Sequence, residues 1–290
     1  MATVDLPSVF GQPFATLTVE GSHIAYEDSA TTTPPLAGKV SFYCLPGIGD
    51  FRHSFRFLAP KLAAQGYRVI CQDLRGVGDS GTKFASFTIE DCVRDVEAVL
   101  AHVGVKTGVV LVGNSLSAAV AVEFAADHSD VVAGVVTLGG FFRDMPADAY
   151  FRPLTPLLFN HLWGQPVWLS SFKSFFARPP PDMDIYCAAV KAKMLSNCDH
   201  ASIIGAMIRA SKEPSWAKIP QLKAAVLLLM GSKDPDFKDP AAELDFVAED
   251  IGKRAGVSVT KKLVEGVGHY VQNEAVDETF SAIVEFVSTL

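Results

Sequence analysis

Along Val109-Val110-Leu111-Val112-Gly113-Asn114-Ser115-Leu116-Ser117-Ala118-Ala119 an apolar run that reads as a buried strand turns abruptly into a helix, with a serine at the corner. A serine hydroxyl is a weak nucleophile at neutral pH and can attack a carbonyl only where a base takes its proton. Without that base it is a helix cap, the commoner use of serine at such a turn. The chain offers seven histidines for the task. His23 falls in an edge hairpin, His53 near the first helix, His102 and His128 near helix ends, and His161 and His200 before residue 219, all positions with structural uses. His269 differs, because it sits in Glu265-Gly266-Val267-Gly268-His269-Tyr270, a glycine-bearing loop between the last strand and the last helix. A basic imidazole needs an acid to fix its tautomer and to stabilise the cation it becomes. The stretch Leu227-Leu228-Leu229-Met230-Gly231-Ser232-Lys233-Asp234-Pro235-Asp236 supplies two aspartates in a turn after a strand, of which Asp236 reads as a loop or helix-capping residue.

The elements that must carry these groups follow from periodicity. Phe14–Glu20 and His23–Asp28 alternate around Gly21-Ser22 and predict an antiparallel hairpin at one edge of a sheet. Val40–Leu45 reads as a strand stopped by Pro46-Gly47, Phe55–Gln65 as a helix ended by Gly66, and Arg68–Asp73 as the next strand. Thr88 and Asp91 form a capping-box pattern opening a helix to about Val103, followed by the strand Gly108–Val112, the helix Leu116–His128 and the strand Val131–Leu138. The rhythm resumes with strand Ala224–Met230, helix Ala241–Ile251, strand Val257–Val264 and helix Val276–Thr289. Strands alternating with helices predict an α/β domain whose mainly parallel sheet is covered on both faces. Residues 1–140 and 220–290 form that core in this reading, and the aromatic, proline-bearing segment 141–219 is an inserted helical lid over the carboxyl ends of the strands, where open sheets of this kind bind ligands.

With 49% hydrophobic and 20% charged residues the chain has ample material for one large core. A net charge of -7 without a lysine or arginine run gives no footprint for nucleic acid or an anionic membrane. No segment reaches the roughly 18 apolar residues of a membrane helix, and Met1–Phe10 lacks a basic stretch leading into an apolar one. Cys44, Cys71, Cys92, Cys187 and Cys198 are odd in number and irregularly spaced, and they read as free thiols of a cytoplasmic protein. Gly76-Val77-Gly78-Asp79-Ser80-Gly81 fits the dinucleotide-binding spacing, but Thr82–Phe87 reads as loop where that motif requires a helix. No zinc, phosphate-loop or flavin signature is present, so neither metal nor cofactor is expected.

The corner at Ser115 resembles the nucleophile elbow of the α/β-hydrolases, with Gly113 as the small residue two before the serine and Ser117 standing in for the usual second glycine. The resemblance extends over nearly the whole chain outside 141–219. Asp73-Leu74-Arg75-Gly76-Val77-Gly78-Asp79-Ser80 is similar to a structural turn of the same family. The family's order of serine, acid, histidine implies Ser115 as nucleophile, Asp234, three residues after Gly231, as acid, and His269 as base. It also implies backbone amides of Leu116 and of Ile48, in Leu45-Pro46-Gly47-Ile48-Gly49-Asp50, as oxyanion donors worth about 2.7–4 kcal/mol each. Serine at the corner argues against the dehalogenases and epoxide hydrolases of this fold, which carry aspartate there. The implied function is cleavage of a carboxylic ester, lactone or related acyl bond of an apolar small molecule through an acyl-enzyme. Gly-Asn-Ser and Gly-His-Tyr-Val-Gln-Asn-Glu also resemble carbon–carbon bond hydrolases of diketone-type substrates, and Ser117 with a compact lid resembles plant butenolide-hormone receptors, which leaves a ligand-binding or signalling role as the alternative.

Overall fold

The computed structural model describes residues 6–290, so Met1–Asp5, part of the segment read above for a leader, lie outside the described residues. Among the described residues eight strands form one sheet in the order β1-β2-β4-β3-β5-β6-β7-β8. β1 (Ala15–Val19) and β2 (Ser22–Asp28) are the expected edge hairpin, and β2 runs antiparallel to β4 (Arg68–Gln72). β3 (Ser41–Leu45), β4, β5 (Val109–Asn114), β6 (Val132–Leu138), β7 (Ala225–Gly231) and β8 (Val259–Val264) are mutually parallel neighbours. The central members are runs of Val and Leu because both of their faces are covered, which is the pattern a buried parallel strand requires. All six residues of β5 are buried.

Helices α1 (Leu58–Ala64), α2 (Ile89–His102) and α3 (Ser117–Asp127) connect the first parallel strands. At α2 the Thr88 hydroxyl accepts from the Asp91 amide while the Asp91 carboxylate accepts from the Thr88 amide, the reciprocal cap read from the sequence. The helix expected from Phe55 starts instead at Leu58, after a separate short turn over Arg52–Phe55. Arg52 explains the break: its amide and guanidinium both donate to the buried Asp73, at 2.6 Å each, so this turn answers to a side chain of the next strand's loop. Gly76–Gly81 is a turn and the next helix opens only at Ile89. Arg75, fully buried, donates two hydrogen bonds to Asp95 of α2, at 2.7 and 2.8 Å, tying that turn to the sheet's cover.

Between β6 and β7 the chain is helical, with α4 (Asp148–Phe151), α5 (Thr155–Leu158), α6 (Gly164–Phe172), α7 (Met183–Leu195), α8 (His200–Arg209) and α9 (Glu213–Ala217). Its anchors to the sheet are polar as well as apolar. Arg56 pairs with Asp182 at 2.6 Å, and the Tyr186 hydroxyl donates to the buried Asp50 carboxylate. α10 (Pro240–Ala255) runs from the Asp239 cap to Gly256 in the left-handed region, and α11 (Val271–Glu274) and α12 (Val276–Val287) close the chain. All five cysteines are unpaired, and no helix among the described residues is long and apolar enough to cross a membrane.

Candidate active site

The parallel register brings the ends of β3, β5, β6, β7 and β8 into line: Leu45 faces Gly113, Asn114 faces Leu138, and Gly231 faces Val264. The loops that follow these residues therefore meet along one rim. Ser115 occupies the first position beyond β5 with φ 58, in the left-handed region that a residue with a side chain rarely adopts. The corner is held from β6, where the Leu138 carbonyl accepts the Ser115 amide at 3.0 Å and the Asn114 side-chain amide at 2.7 Å. A Cβ on Gly113 would lie 2.2 Å from the Ser117 carbonyl oxygen, so the turn closes only because that residue has no side chain. Ser115 caps nothing: the helix begins past it without a side-chain cap, and its hydroxyl has no hydrogen-bond partner among the described residues.

Ser117, the departure from glycine, has a bond of its own. Its hydroxyl donates to the Pro46 carbonyl at 2.5 Å and so fastens the start of α3 to the loop after β3. Gly47, next in that loop, packs so closely on the corner that an added Cβ would stand 3.0 Å from the Ser115 Cβ. The amides of Leu116 and Ile48 have no acceptor among the described residues, and both residues line a cavity of about 410 Å³ together with Ser115 and His269.

His269 and Asp234 are buried, and the imidazole Nδ1 lies 2.8 Å from Asp234 Oδ2. Asp234 Oδ1 accepts the Asp236 amide at 3.1 Å, which fixes the carboxylate from its far side. Burial works to lower the imidazole pKa, but the charge and hydrogen bond of Asp234, helped by Asp236 and Glu274, lift it to about 9. The loop backbone is gripped as well: the His269 amide donates to the Phe175 carbonyl at 2.8 Å, and the Glu274 carboxylate accepts the Gly268 amide at 3.1 Å and the Arg178 amide at 2.5 Å. No hydrogen bond joins Ser115 to the imidazole in this structure, although both side chains open on the same cavity.

A model of the alpha/beta hydrolase family matches residues 42–282. The chain belongs to that family. Among curated proteins, this chain is 32% identical over 126 residues to the soluble epoxide hydrolase of Corynebacterium sp. (strain C12), a match covering 42% of this chain and 43% of that protein. It is 30% identical over 121 residues to the haloalkane dehalogenase of Mycobacterium marinum, covering 41% and 38%. The chain thus spans less than half the length of these relatives. Solved structures agree in fold over almost the whole chain. A putative lipase of Acinetobacter baumannii has a TM-score of 0.76 at 16% identity, covering 97% of this chain and 93% of that one. A thermophilic esterase of Thermogutta terrifontis gives 0.75 at 21%, covering 96% and 99%. Est816, described as an N-acyl homoserine lactone degrading enzyme, gives 0.70 at 19%, covering 94% and 100%.

Of the groups read from the sequence, Ser115, His269 and the residues bearing both amides line one cavity, and Asp234 stands behind the imidazole at 2.8 Å. Asp236 lies in the turn expected for it, between β7 and α10. It caps no helix, a task that falls to Asp239; its Oδ2 lies 3.4 Å from the imidazole Nδ1 and its side chain lines the cavity. Burial and the neighbouring Asp234 push its carboxyl above the ordinary value against the pull of the imidazole. Asp234, Asp236 and His269 each bring a possible metal-ligand atom within 4.8 Å of the others, but Nδ1 is already committed to Asp234. Much of the remaining wall is aromatic, from Phe141, Phe151, Phe159, Trp168, Phe175 and Tyr270, and Met145, Ile208, Asp148 and Lys212 line it as well.

Proposed function

We propose that this hydrolase cleaves a carboxylic ester, lactone or related acyl bond of an apolar small molecule by way of an acyl-enzyme. The observation that carries the reading is the unbonded Ser115 hydroxyl, held at φ 58 on a strand-to-helix corner and sharing one apolar cavity with an imidazole whose other nitrogen is held by Asp234. His269 takes the proton as the Ser115 Oγ forms its bond to the carbonyl carbon. The Leu116 and Ile48 amides receive the oxyanion, and the leaving alcohol departs with the proton from the imidazole. Water then repeats the sequence on the acyl group and restores the serine. Catalytic hydrogen bonds are often loose in an empty site and tighten with substrate, so in this reading the serine hydroxyl reaches the imidazole once substrate is bound.

Serine at the corner separates this chain from the aspartate chemistry associated with epoxide hydrolases and dehalogenases. It favours the reaction named for the esterase neighbours. Residues 141–219 act as a lid that excludes water, since six aromatic rings from them and their surroundings wall the cavity. The unpaired cysteines fit a reducing compartment such as the cytoplasm. A fluorophosphonate probe should label the protein at Ser115, and Ser115→Ala should lower kcat on a nitrophenyl ester by roughly 10⁴–10⁶-fold. Unchanged turnover in the variant would sink the proposal. Faster cleavage of a diketone than of any ester or lactone would replace it with carbon–carbon hydrolysis.

A further inference from the structure

The cavity has a second polar end. Lys212, between α8 and α9, is only 6% exposed and lines the cavity beside Asp148. Burying an ammonium is costly unless its N–H groups find acceptors, and a lysine has three of them to satisfy. Among the described residues the ammonium makes one hydrogen bond, a long one of 3.4 Å to Asp148 Oδ2. Asp144 Oδ1 stands 3.8 Å away and is already occupied by the Lys212 amide and the Arg152 guanidinium. Asp144 Oδ2 is held by Arg152 at 2.7 Å and Ser211 at 2.8 Å. Donor capacity is therefore left over beside a cavity whose nearby walls, Phe141, Met145, Phe151 and Ile208, offer no strong acceptor.

This end is not far from the reacting one. The ammonium lies 6.0 Å from the Phe141 ring centre, and that ring lies 6.1 Å from the imidazole of His269. Two carboxylates, Asp148 at 3.4 Å and Asp144 at 3.8 Å, already stand beside the ammonium, so a further anion would meet their repulsion while a neutral oxygen would not. We propose that Lys212 is a specificity residue that binds a second, uncharged carbonyl oxygen of the substrate, remote from the bond being cleaved. The preferred substrates are then keto-bearing esters or lactones, a refinement that rests on the serine-hydrolase reading above.

The test is a ladder of nitrophenyl oxoalkanoates with the keto group moved stepwise along the chain, each paired with its plain alkanoate. A second ladder places the ketone in the alcohol part and shows which half of the substrate reaches Lys212. At its best position the keto ester should exceed its alkanoate about tenfold or more in kcat/KM, chiefly through KM, as expected for a hydrogen bond from a charged donor made away from the reacting atoms. Lys212→Met should reduce that ratio to near one, and Lys212→Gln, which keeps neutral donors, should retain part of it. A lysine of merely structural value would slow keto and plain esters alike, which overturns the inference. It is equally overturned if neither ladder shows a keto preference, or if a hemi-dicarboxylate ester outruns every keto ester. Failure of the wild-type protein to turn over any ester defeats the serine-hydrolase reading itself.

Discussion

The loops at the ends of the strands and the helical segment between β6 and β7 line one cavity by different physical means. At the strand ends each position is set by the sheet's register and by backbone that leaves no room: Gly113 under Ser117, and Gly47 against Ser115. Large apolar residues there are buried without exception in β3, β5 and β6. In the helical segment apolarity does not report burial. Phe172 and Tyr186 are buried, yet Tyr150 is 83% exposed and Leu162 71% exposed in the same segment. Backbone ladders fix where a few polar groups stand, whereas packed short helices supply a wall whose members can change without moving the chemistry.

That contrast can be broken most easily where it is sharpest. Asp234→Asn leaves the shape of the loop but offers the imidazole the wrong hydrogen-bonding partner, and kcat should fall by roughly 10⁴-fold. A loss below tenfold, measured on a nitrophenyl ester, would mean that Asp236, 3.4 Å from the same nitrogen, carries the role instead. Gly47→Ala comes next. Its methyl would press on Ser115 at 3.0 Å and push the Ile48 amide off its line to the oxyanion, costing roughly 10²–10³ in kcat with little change in Tm. A large Tm loss with kcat intact would show that the loop serves folding rather than the oxyanion.

Much of the strand-end machinery was legible because its signals are local. Val and Leu runs stopped by glycine mark the strands, and the serine corner, the Gly-x-x-Asp turn and the Gly-His loop each fall within ten residues. What escaped depends on partners distant in the chain. Ser117 meets Pro46 across 71 positions, and Glu274 meets Arg178 across 96, so neither role has a signature at its own position. The approach of Asp236 to the ring escaped for a related reason: loop spacing says which residues are near, but not which way a carboxylate turns. Its effect should be felt in pH dependence. The base works only when neutral, so kcat/KM rises with pH through the imidazole pKa, which the carboxylates lift to about 9. Asp236→Asn removes one of those charges, lowers that pKa and moves the acid limb to lower pH. A limb that stays in place would deny Asp236 any electrostatic hold on the ring.

The smallest effect belongs to the exposed face of the helical segment. Leu157 and Leu162 are large, apolar and mostly in solvent, so replacing either by serine removes little buried surface. Stability should change by no more than about 0.5 kcal/mol, and the Tm by a degree or two at most. Turnover of nitrophenyl esters should stay at the parent level, because neither side chain lines the cavity. A drop of several degrees in either variant would mean that these leucines are covered in solution, and that the segment draws its order from a second surface as well as from the sheet beneath it.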